Sequence, residues 1–137
     1  MIYLTRKEHF NAAHKLYNPT WTEEQNNLVF GKCANKNWHG HNYDLFVTVK
    51  GEVNPDTGFI INLKELSTLI RKEVTEVLDH KNLNMDVPGM PVMPSTENVA
   101  IFIWDILFDK IKNMGAILHC IKLYETESNF VEYYGGH

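Results

Sequence analysis

The sequence predicts an α+β fold in which a four-stranded antiparallel sheet carries two helices on one face, in the order ββααββ. Two observations predict it: some segments alternate apolar and polar residues with a period of two, and two others repeat apolar residues at helical spacing. A sheet and helices of this kind bury one face of each element in a shared core. No internal repeat or linker interrupts the 137 residues, so we expect a single domain over residues 1–137.

The first strand is expected within residues 3–16. Its second half carries four residues of one parity, which would lie on one face of a strand. These residues are Phe10, Ala12, His14 and Leu16. Residues 17–37 follow no period and include Pro19, which predicts a long loop with at most one helical turn. Loops of this length in compact domains are often functional, so we expect this one to contribute to a site.

The second strand is predicted by strict alternation over residues 43–50, and His39 and His41 extend its apolar face. Next comes Asn54-Pro55-Asp56-Thr57-Gly58, a composition typical of a tight turn. The chain is therefore expected to reverse its direction there.

The first helix is expected to begin after Asn62, which with Glu65 three residues later resembles a capping box. Apolar residues continue at helical spacing to about Leu78. Because the next residues are rich in Pro and Gly, Asp79 and His80 are expected at the C-terminal exit of this helix.

The second helix is capped by Ser95 or Thr96 and stopped by Gly115. A third strand then starts, and a last strand is expected over residues 129–134. The residues that share one parity on the third strand are Ile117, Ile121, Leu123 and Glu125. This parity predicts a carboxylate on the buried face of the sheet.

Composition excludes several classes of protein. Apolar residues make up 44% of the chain and charged residues 22%, which argues against intrinsic disorder. The formal charge of -4 gives no basic field, so nucleic acid and anionic membranes are not expected as partners. The first residues contain no apolar signal-peptide core, and Cys33 and Cys120 are too few for a disulfide framework, so we expect a reduced, cytoplasmic protein without a membrane span.

Three histidines have the pattern of a metal site. His39 and His41 on one face of a strand have Cα atoms roughly 6 to 7 Å apart, close enough to share one Zn²⁺. His14 on a neighbouring strand could supply the third ligand. Three nitrogen ligands leave a fourth position open, as in catalytic zinc sites. A His-x-His pattern alone is weak, because two unrelated histidines produce it as readily.

Other reactive residues leave more than one interpretation open. Cys33, six residues before His39, could be a base, a nucleophile or a fourth zinc ligand, whereas Cys120 reads as a buried structural cysteine. The adjacent Asp79 and His80 fit an acid/base dyad, and they fit helix capping equally well. Glu125 is either a buried carboxylate with a partner or a residue at the rim of the sheet.

Five segments together resemble the 6-pyruvoyl-tetrahydropterin synthase family over nearly the whole chain. They are Phe10-Asn11-Ala12-Ala13-His14, Phe30-Gly31-Lys32-Cys33-Ala34-Asn35 with His39-Gly40-His41-Asn42-Tyr43, Leu78-Asp79-His80-Lys81-Asn82-Leu83, Ser95-Thr96-Glu97-Asn98 and Tyr124-Glu125-Thr126. Trp38 stands where the family often has a small residue, and Ser95 where a Thr is common. Trp38 could narrow the mouth of the pocket.

The resemblance implies a T-fold (tunnelling fold) and a homo-oligomer, either a trimer or a hexamer built from two trimers, with active sites between subunits. It implies a zinc-dependent lyase of tetrahydrobiopterin biosynthesis, which converts 7,8-dihydroneopterin triphosphate to 6-pyruvoyl-tetrahydropterin with elimination of triphosphate. His14, His39 and His41 would hold zinc, and Cys33, Asp79, His80 and Glu125 would be catalytic. The residues that would hold the pterin substrate are Ser95, Thr96, Glu97 and Glu125.

Two other functions remain open at this stage. A related enzyme of the same fold, 6-carboxy-tetrahydropterin synthase, acts on the way to queuosine. The other alternative is a non-catalytic protein that binds a pterin or a metal but releases no triphosphate. The Phe30–Asn35 segment favours the pyruvoyl enzyme by the same resemblance.

Overall fold

The computed structural model describes residues 1–136 and has a mixed, five-stranded sheet in the order β3-β1-β2-β4-β5. The strands are β1 (Ile2–His14), β2 (His39–Gly51), β3 (Lys81–Asn82), β4 (Ile117–Tyr124) and β5 (Phe130–Tyr133). All neighbours are antiparallel except β3, which pairs parallel with β1. The α+β class is confirmed, and the predicted count of four strands is wrong by one.

The additional strand is β3, whose two residues pair with Ala12 and Ala13 of β1. Two residues carry no detectable alternation, so no sequence pattern could predict this strand. This pairing holds the segment that follows the preceding helix against the end of β1.

The long segment between β1 and β2 is more ordered than the loop predicted for residues 17–37. It contains helix α1 (Glu23–Phe30), followed by a 3₁₀ turn over Gly31–Ala34. Thr22 caps α1 by accepting a hydrogen bond from the backbone N–H of Gln25. The helix was missed because it buries only Asn26 and so lacks an apolar stripe.

The first predicted helix is confirmed and is labelled α2. It consists of an α-helical part (Leu63–Ile70), a π-helical part (Arg71–Thr75) and a last turn (Glu76–Leu78). Asn62 caps it as expected, because its side chain accepts hydrogen bonds from the backbone N–H groups of Lys64 and Glu65. The second predicted helix, α3 (Thr96–Asn113), is capped by Ser95 rather than Thr96.

The core lies between one face of the sheet and helices α2 and α3. Its largest fully buried side chains are Tyr43, Phe10, Leu45, Leu66, Ile70, Leu78, Leu83, Ile103, Leu107, Ile111, Ile121 and Leu123. The alternation predicted for β1 and β2 is confirmed, since Phe10 and Tyr43 stack in this core with ring centres 4.9 Å apart. The opposite face of the sheet, called here the helix-free face, carries half-exposed aromatic and charged side chains.

The parity predicted for the third strand is wrong at Ile117. The register between β2 and β4 shifts after Thr48, which pairs with Cys120, whereas the next residue, Val49, pairs with Leu118. His119 is the extra residue of this β-bulge. On the N-terminal side of the bulge, the residues of β4 that face the core therefore have the opposite parity. Leu118 is therefore buried and Ile117 exposed, while Ile121 and Leu123 face the core as expected.

A buried carboxylate joins the sheet to α2. Glu8 of β1 is 8% exposed. Its Oε1 accepts hydrogen bonds from Ser67 Oγ (2.9 Å), Arg6 Nε (3.1 Å) and Arg71 Nε (3.1 Å). Burial acts to raise the pKa of Glu8, but the Ser67 hydroxyl and the two guanidinium groups outweigh it and hold the pKa below its ordinary value.

We expect Glu8→Gln to lower the free energy of unfolding at pH 7 by about 1 to 3 kcal/mol, because the two arginines lose a charged acceptor. A depressed carboxyl pKa stabilises the fold above the unfolded-state value of 4.5, and this contribution is lost as pH falls through the folded-state pKa. The difference between the wild type and the variant should therefore shrink below pH 4.5. Urea unfolding at several pH values measures it.

The matched control is Glu52→Gln, since Glu52 is exposed and pairs with the exposed N-terminal amine at 3.4 Å. Such a surface pair contributes little. Equal effects of the two substitutions at pH 7 would contradict the stabilising role of Glu8.

Candidate metal centre and active site

Three histidine side chains converge where the paired part of β1 and β2 ends. The antiparallel register places His14 directly opposite His39, and His41 lies two residues further along β2 on the same face. The ring centres are 4.6 Å (His14–His39), 4.8 Å (His39–His41) and 5.1 Å (His14–His41) apart. The predicted juxtaposition of the three residues is confirmed.

Each of the three histidines has one buried ring nitrogen without a hydrogen-bond partner within residues 1–136. These buried atoms are His14 Nε2, His39 Nδ1 and His41 Nε2. The three side chains can offer ligand atoms that all lie within 4.8 Å of one another. Buried polar atoms are normally paired, so three unpaired nitrogens at one point fit a cation that accepts their lone pairs.

The tautomer of His14 is fixed by a contact distant in sequence. Its Nδ1 lies 2.7 Å from the carbonyl oxygen of Pro94, an arrangement that requires the Nδ1–H to donate. The lone pair is therefore on Nε2, which faces the other two histidines. No sequence signal marked Pro94, because its role depends on a contact across 80 positions of the chain.

The electrostatics of the cluster favour neutral imidazoles. Burial is the largest effect and lowers the pKa of His14, His39 and His41, and a neighbouring histidine lowers each pKa further. The nearby Glu125 raises each pKa, but the net shift is downward for all three. Neutral rings are the form that binds a metal. The cluster therefore has the geometry and protonation state of a three-nitrogen metal site with an open position.

Glu125 lies beside this cluster, immediately after the end of β4. Its Oε2 is 3.7 Å from His14 Nε2, and its Oε1 is 3.8 Å from His41 Nε2. The hydroxyl of Thr96 donates a hydrogen bond of 2.5 Å to Oε2. Of the two interpretations left open by the sequence, the first holds: Glu125 is a partly buried carboxylate with a hydrogen-bond partner, and it lies against the histidines.

The residues expected to hold a substrate line one pocket of about 250 Å³, together with residues of β5. They are Ser95, Thr96, Glu97 and Glu125. Their side chains differ in freedom: the Ser95 hydroxyl accepts from the backbone N–H of Asn98 and caps α3, Thr96 contacts Glu125, and Glu97 is exposed. The structure therefore brings the other three residues into the pocket of the Glu125 carboxylate.

Cys33 lies in the 3₁₀ turn and is half-buried with a free thiol. Its carbonyl oxygen accepts a 2.7 Å hydrogen bond from the backbone N–H of Leu16, two residues beyond His14. This bond brings the cysteine segment to the same end of β1 as the histidine cluster. Within the described residues, no hydrogen bond joins its sulfur to the cluster. Cys120 is buried, as expected for a structural cysteine.

Asp79 and His80 form a dyad on the other side of β1. His80 Nδ1 is 2.9 Å from Asp79 Oδ2, and Asp79 Oδ1 accepts a 2.8 Å hydrogen bond from the backbone N–H of Asn11. The Asn11 bond, aided by His80, lowers the pKa of Asp79. His80 has a φ of 60°, and its side chain is 79% exposed. It borders an open pocket of about 500 Å³ that His41 also lines.

We expect His39→Ala and His41→Ala to lose the metal that the wild type retains at one ion per chain after dialysis, since two nitrogens do not make a stable site. Elemental analysis of the purified proteins measures this. His119→Ala is the control, because His119 lies on the helix-free face and should leave the metal content unchanged. Full metal content in both cluster variants would contradict the assignment.

Known proteins resemble this chain over nearly its full length. The family model described as 6-pyruvoyl tetrahydropterin synthase matches residues 3–136. A Pongo abelii protein named 6-pyruvoyl tetrahydrobiopterin synthase is 47% identical over 133 residues, which cover 96% of this chain and 90% of that protein. A Dictyostelium discoideum protein of the same name is 44% identical over 135 residues, covering 98% and 96%.

A solved structure agrees with this likeness. The structure of Caenorhabditis elegans 6-pyruvoyl tetrahydropterin synthase has a TM-score of 0.87 and 34% sequence identity to this chain, covering 98% of it and 96% of that protein. Separately, none of the helices within residues 1–136 is long and apolar enough to span a membrane.

Proposed function

The chain belongs to the 6-pyruvoyl tetrahydropterin synthase family, and we propose that it is a zinc-dependent lyase of tetrahydrobiopterin biosynthesis. The reaction converts 7,8-dihydroneopterin triphosphate to 6-pyruvoyl-tetrahydropterin with elimination of triphosphate. The observation that supports this proposal is the approach of the Glu125 carboxylate to the three-histidine cluster, because a carboxylate can accept hydrogen bonds from a pterin ring and the histidines can hold a metal ion. The T-fold expected from the sequence is confirmed by the structural likeness.

The metal assignment is supported by the chemistry of the donor set. Three neutral imidazoles and an open position suit Zn²⁺, and zinc there would supply a Lewis acid that polarises hydroxyl or carbonyl oxygens. The chain's own contribution is to fix His14 in one tautomer through Pro94 and to exclude water from the His14 side, where the ring is fully buried.

Glu125 is proposed to orient the pterin. An ionised carboxylate beside apolar residues is costly unless donors satisfy it, and Thr96 supplies only one. A pterin presents a ring N–H and an amino group side by side, which match a carboxylate that accepts two parallel hydrogen bonds. Thr96 keeps the carboxylate in the orientation that this pairing needs.

Cys33 and the Asp79–His80 dyad are proposed to move protons. Cys33 would remove a carbon-bound proton from the substrate side chain, and its free thiol suits a reducing compartment such as the cytoplasm. Asp79 orients the His80 ring through their 2.9 Å contact, so that His80 can exchange protons with the substrate.

We also propose a homo-oligomer, a trimer or a hexamer, with active sites between copies. Two features support it. His80 is 79% exposed, and within residues 1–136 it shares an open pocket with His41 but forms no hydrogen bond with the cluster. The sheet also ends at the four-residue edge strand β5, whose exposed backbone groups suit pairing with another copy. A second copy would place a substrate between one cluster and another dyad.

Incubation with 7,8-dihydroneopterin triphosphate tests the function. We expect 6-pyruvoyl-tetrahydropterin and one released triphosphate per product. We expect Cys33→Ala to keep its metal and its pterin affinity while turnover falls by at least about 10², the usual effect of removing a general base. Cys120→Ala is the matched control and should keep its turnover. Product chromatography and triphosphate release measure both.

Other outcomes of this assay separate the alternatives. A 6-carboxy product would identify the related queuosine-pathway enzyme, and pterin binding without triphosphate release would identify a non-catalytic binder. Near-normal turnover in Cys33→Ala would show that another group is the base, and loss of metal in that variant would make Cys33 a ligand.

We expect Glu125→Gln to weaken pterin binding by roughly 2 to 4 kcal/mol, because the glutamine amide presents a donor to a donor of the ring. Fluorescence quenching by a pterin measures the dissociation constant. Glu127→Gln is the control, since Glu127 is exposed two residues further along. Equal constants for Glu125→Gln and the wild type would place this carboxylate outside the binding pocket.

A further inference from the structure

Lys15 is a positively charged residue next to the histidine cluster, and neighbouring residues hold its backbone and its ammonium group in place. It follows His14 directly, and Asn84 clamps its backbone: Lys15 N–H donates to Asn84 Oδ1 (2.9 Å), and Asn84 Nδ2 donates to the Lys15 carbonyl (3.1 Å). Its Nζ lies 5.0 Å from the ring centres of both Tyr17 and Trp38. None of the ion pairs in the described chain involves this ammonium group.

Trp38, one of these two rings, has a backbone conformation that a tryptophan rarely adopts. Its φ is 59°, in the region that favours glycine. Its indole Nε1 is buried without a hydrogen-bond partner in residues 1–136, so no such bond offsets the strain. Backbone strain of this kind is concentrated at functional sites. The contact that Trp38 makes here is a cation–π interaction with the Lys15 ammonium group.

A pocket of about 460 Å³ opens beside Lys15. Lys36 contributes a second positive charge to its lining, Glu23 one negative charge, and Asn27 and Asn35 neutral amides. The pocket is therefore polar and carries a net positive charge in a chain whose overall formal charge is -4. A lining of ammonium and amide donors suits a phosphate group better than an apolar or cationic one.

This pocket is connected to the histidine cluster through the chain, because Lys15 in its lining directly follows His14. Glu125, the proposed pterin contact, approaches His14 and His41 at 3.7 and 3.8 Å. Lys15 and Trp38 directly adjoin the paired ends of β1 and β2 at His14 and His39. Along β2, Glu125 lies toward the other side of His39 and His41, because the preceding residue, Tyr124, pairs with Asp44. A substrate with a pterin at one end and phosphates at the other would cross the cluster in that direction.

We propose that Lys15, held between Trp38 and Tyr17, binds the triphosphate tail of the substrate, with Lys36 as a second cation in the same pocket. This inference rests on the proposed function for the identity of the substrate. It makes Lys15 a substrate-binding residue, and Trp38 a positioning residue that acts through Lys15.

Titration calorimetry with inorganic triphosphate tests Lys15 directly, using protein with its metal content verified before and after. We expect Lys15→Met to bind triphosphate about 10- to 100-fold more weakly, the range for losing one charge-assisted contact. Lys15→Arg keeps the charge and should retain most of the affinity. Lys112→Met, an exposed lysine near the end of α3, should match the wild type.

A phosphate-free pterin, 7,8-dihydroneopterin, provides the second readout. Its affinity should be the same in the wild type, Lys15→Met and Lys112→Met, because Lys15 contacts only the phosphate end. Triphosphate binding by Lys15→Met within twofold of the wild type would overturn the proposal. An equal loss of both ligands would also overturn it, since it would assign Lys15 to the general integrity of the site.

Trp38→Gly tests the positioning role. Glycine relieves the strain of a φ of 59° but removes a partly buried indole, so a thermal unfolding scan first establishes that this variant is folded. We expect triphosphate affinity to fall about 3- to 10-fold, the order expected when a cation loses one aromatic face, with dihydroneopterin affinity unchanged. Unchanged triphosphate affinity would remove Trp38 from the proposal.

Turnover distinguishes failure of this inference from failure of the proposed function. If the wild type makes the product and Lys15→Met keeps the same KM, only the phosphate assignment is wrong. If the wild type binds triphosphate through Lys15 but makes no 6-pyruvoyl product, the proposed reaction is wrong and the phosphate site stands.

Discussion

The antiparallel register between β1 and β2 is the constraint on which the rest of the site depends. It runs without interruption from Ile2 opposite Gly51 to His14 opposite His39. A slip by one residue would move every side chain of one strand to the other face, which would separate the histidines and expose Phe10 if β1 moved or Tyr43 if β2 moved. Burial of the core therefore enforces the same register that assembles the metal ligands.

The helical layer completes what the two strands begin. The segment before α3 brings the Pro94 carbonyl to His14, and the first residue of α3 brings the Thr96 hydroxyl to Glu125. The start of one helix thus orients both an imidazole and a carboxylate. Glu8 attaches α2 to the same strand that carries His14. The polar groups on the helix-facing side of β1 are thus held by contacts from the helical layer, which limits how far the site can relax when it is empty.

The functional groups of the site lie at different places around the histidine cluster. Glu125 approaches His14 and His41. Lys15 and Trp38 adjoin the paired ends of β1 and β2, and the Asp79–His80 dyad contacts the backbone of Asn11 on β1. Under the proposed function, the pterin contact at Glu125 and the phosphate contact at Lys15 are separate from the groups that move protons. Such separation of binding from chemistry is how binding energy is used to orient a reacting centre.

Local pattern determined a large part of this protein. Alternation predicted β1 and β2 and the shared face of His14, His39 and His41, and capping residues such as Asn62 and Ser95 predicted where the helices begin. These features depend on residues a few positions apart, so the sequence contains the whole signal. The likeness to a family of known fold added the expected roles of Cys33 and Glu125, which their own surroundings in the sequence left open.

Only the tertiary structure decided the remaining features, because each depends on contacts between distant residues. β3 forms from two residues that β1 holds in place, and the bulge at His119 exposes Ile117 and buries Leu118 through the register with β2. The tautomer of His14 depends on Pro94, 80 positions away. Packing and hydrogen bonding between distant parts of the chain determine these features, and no local sequence period encodes such contacts.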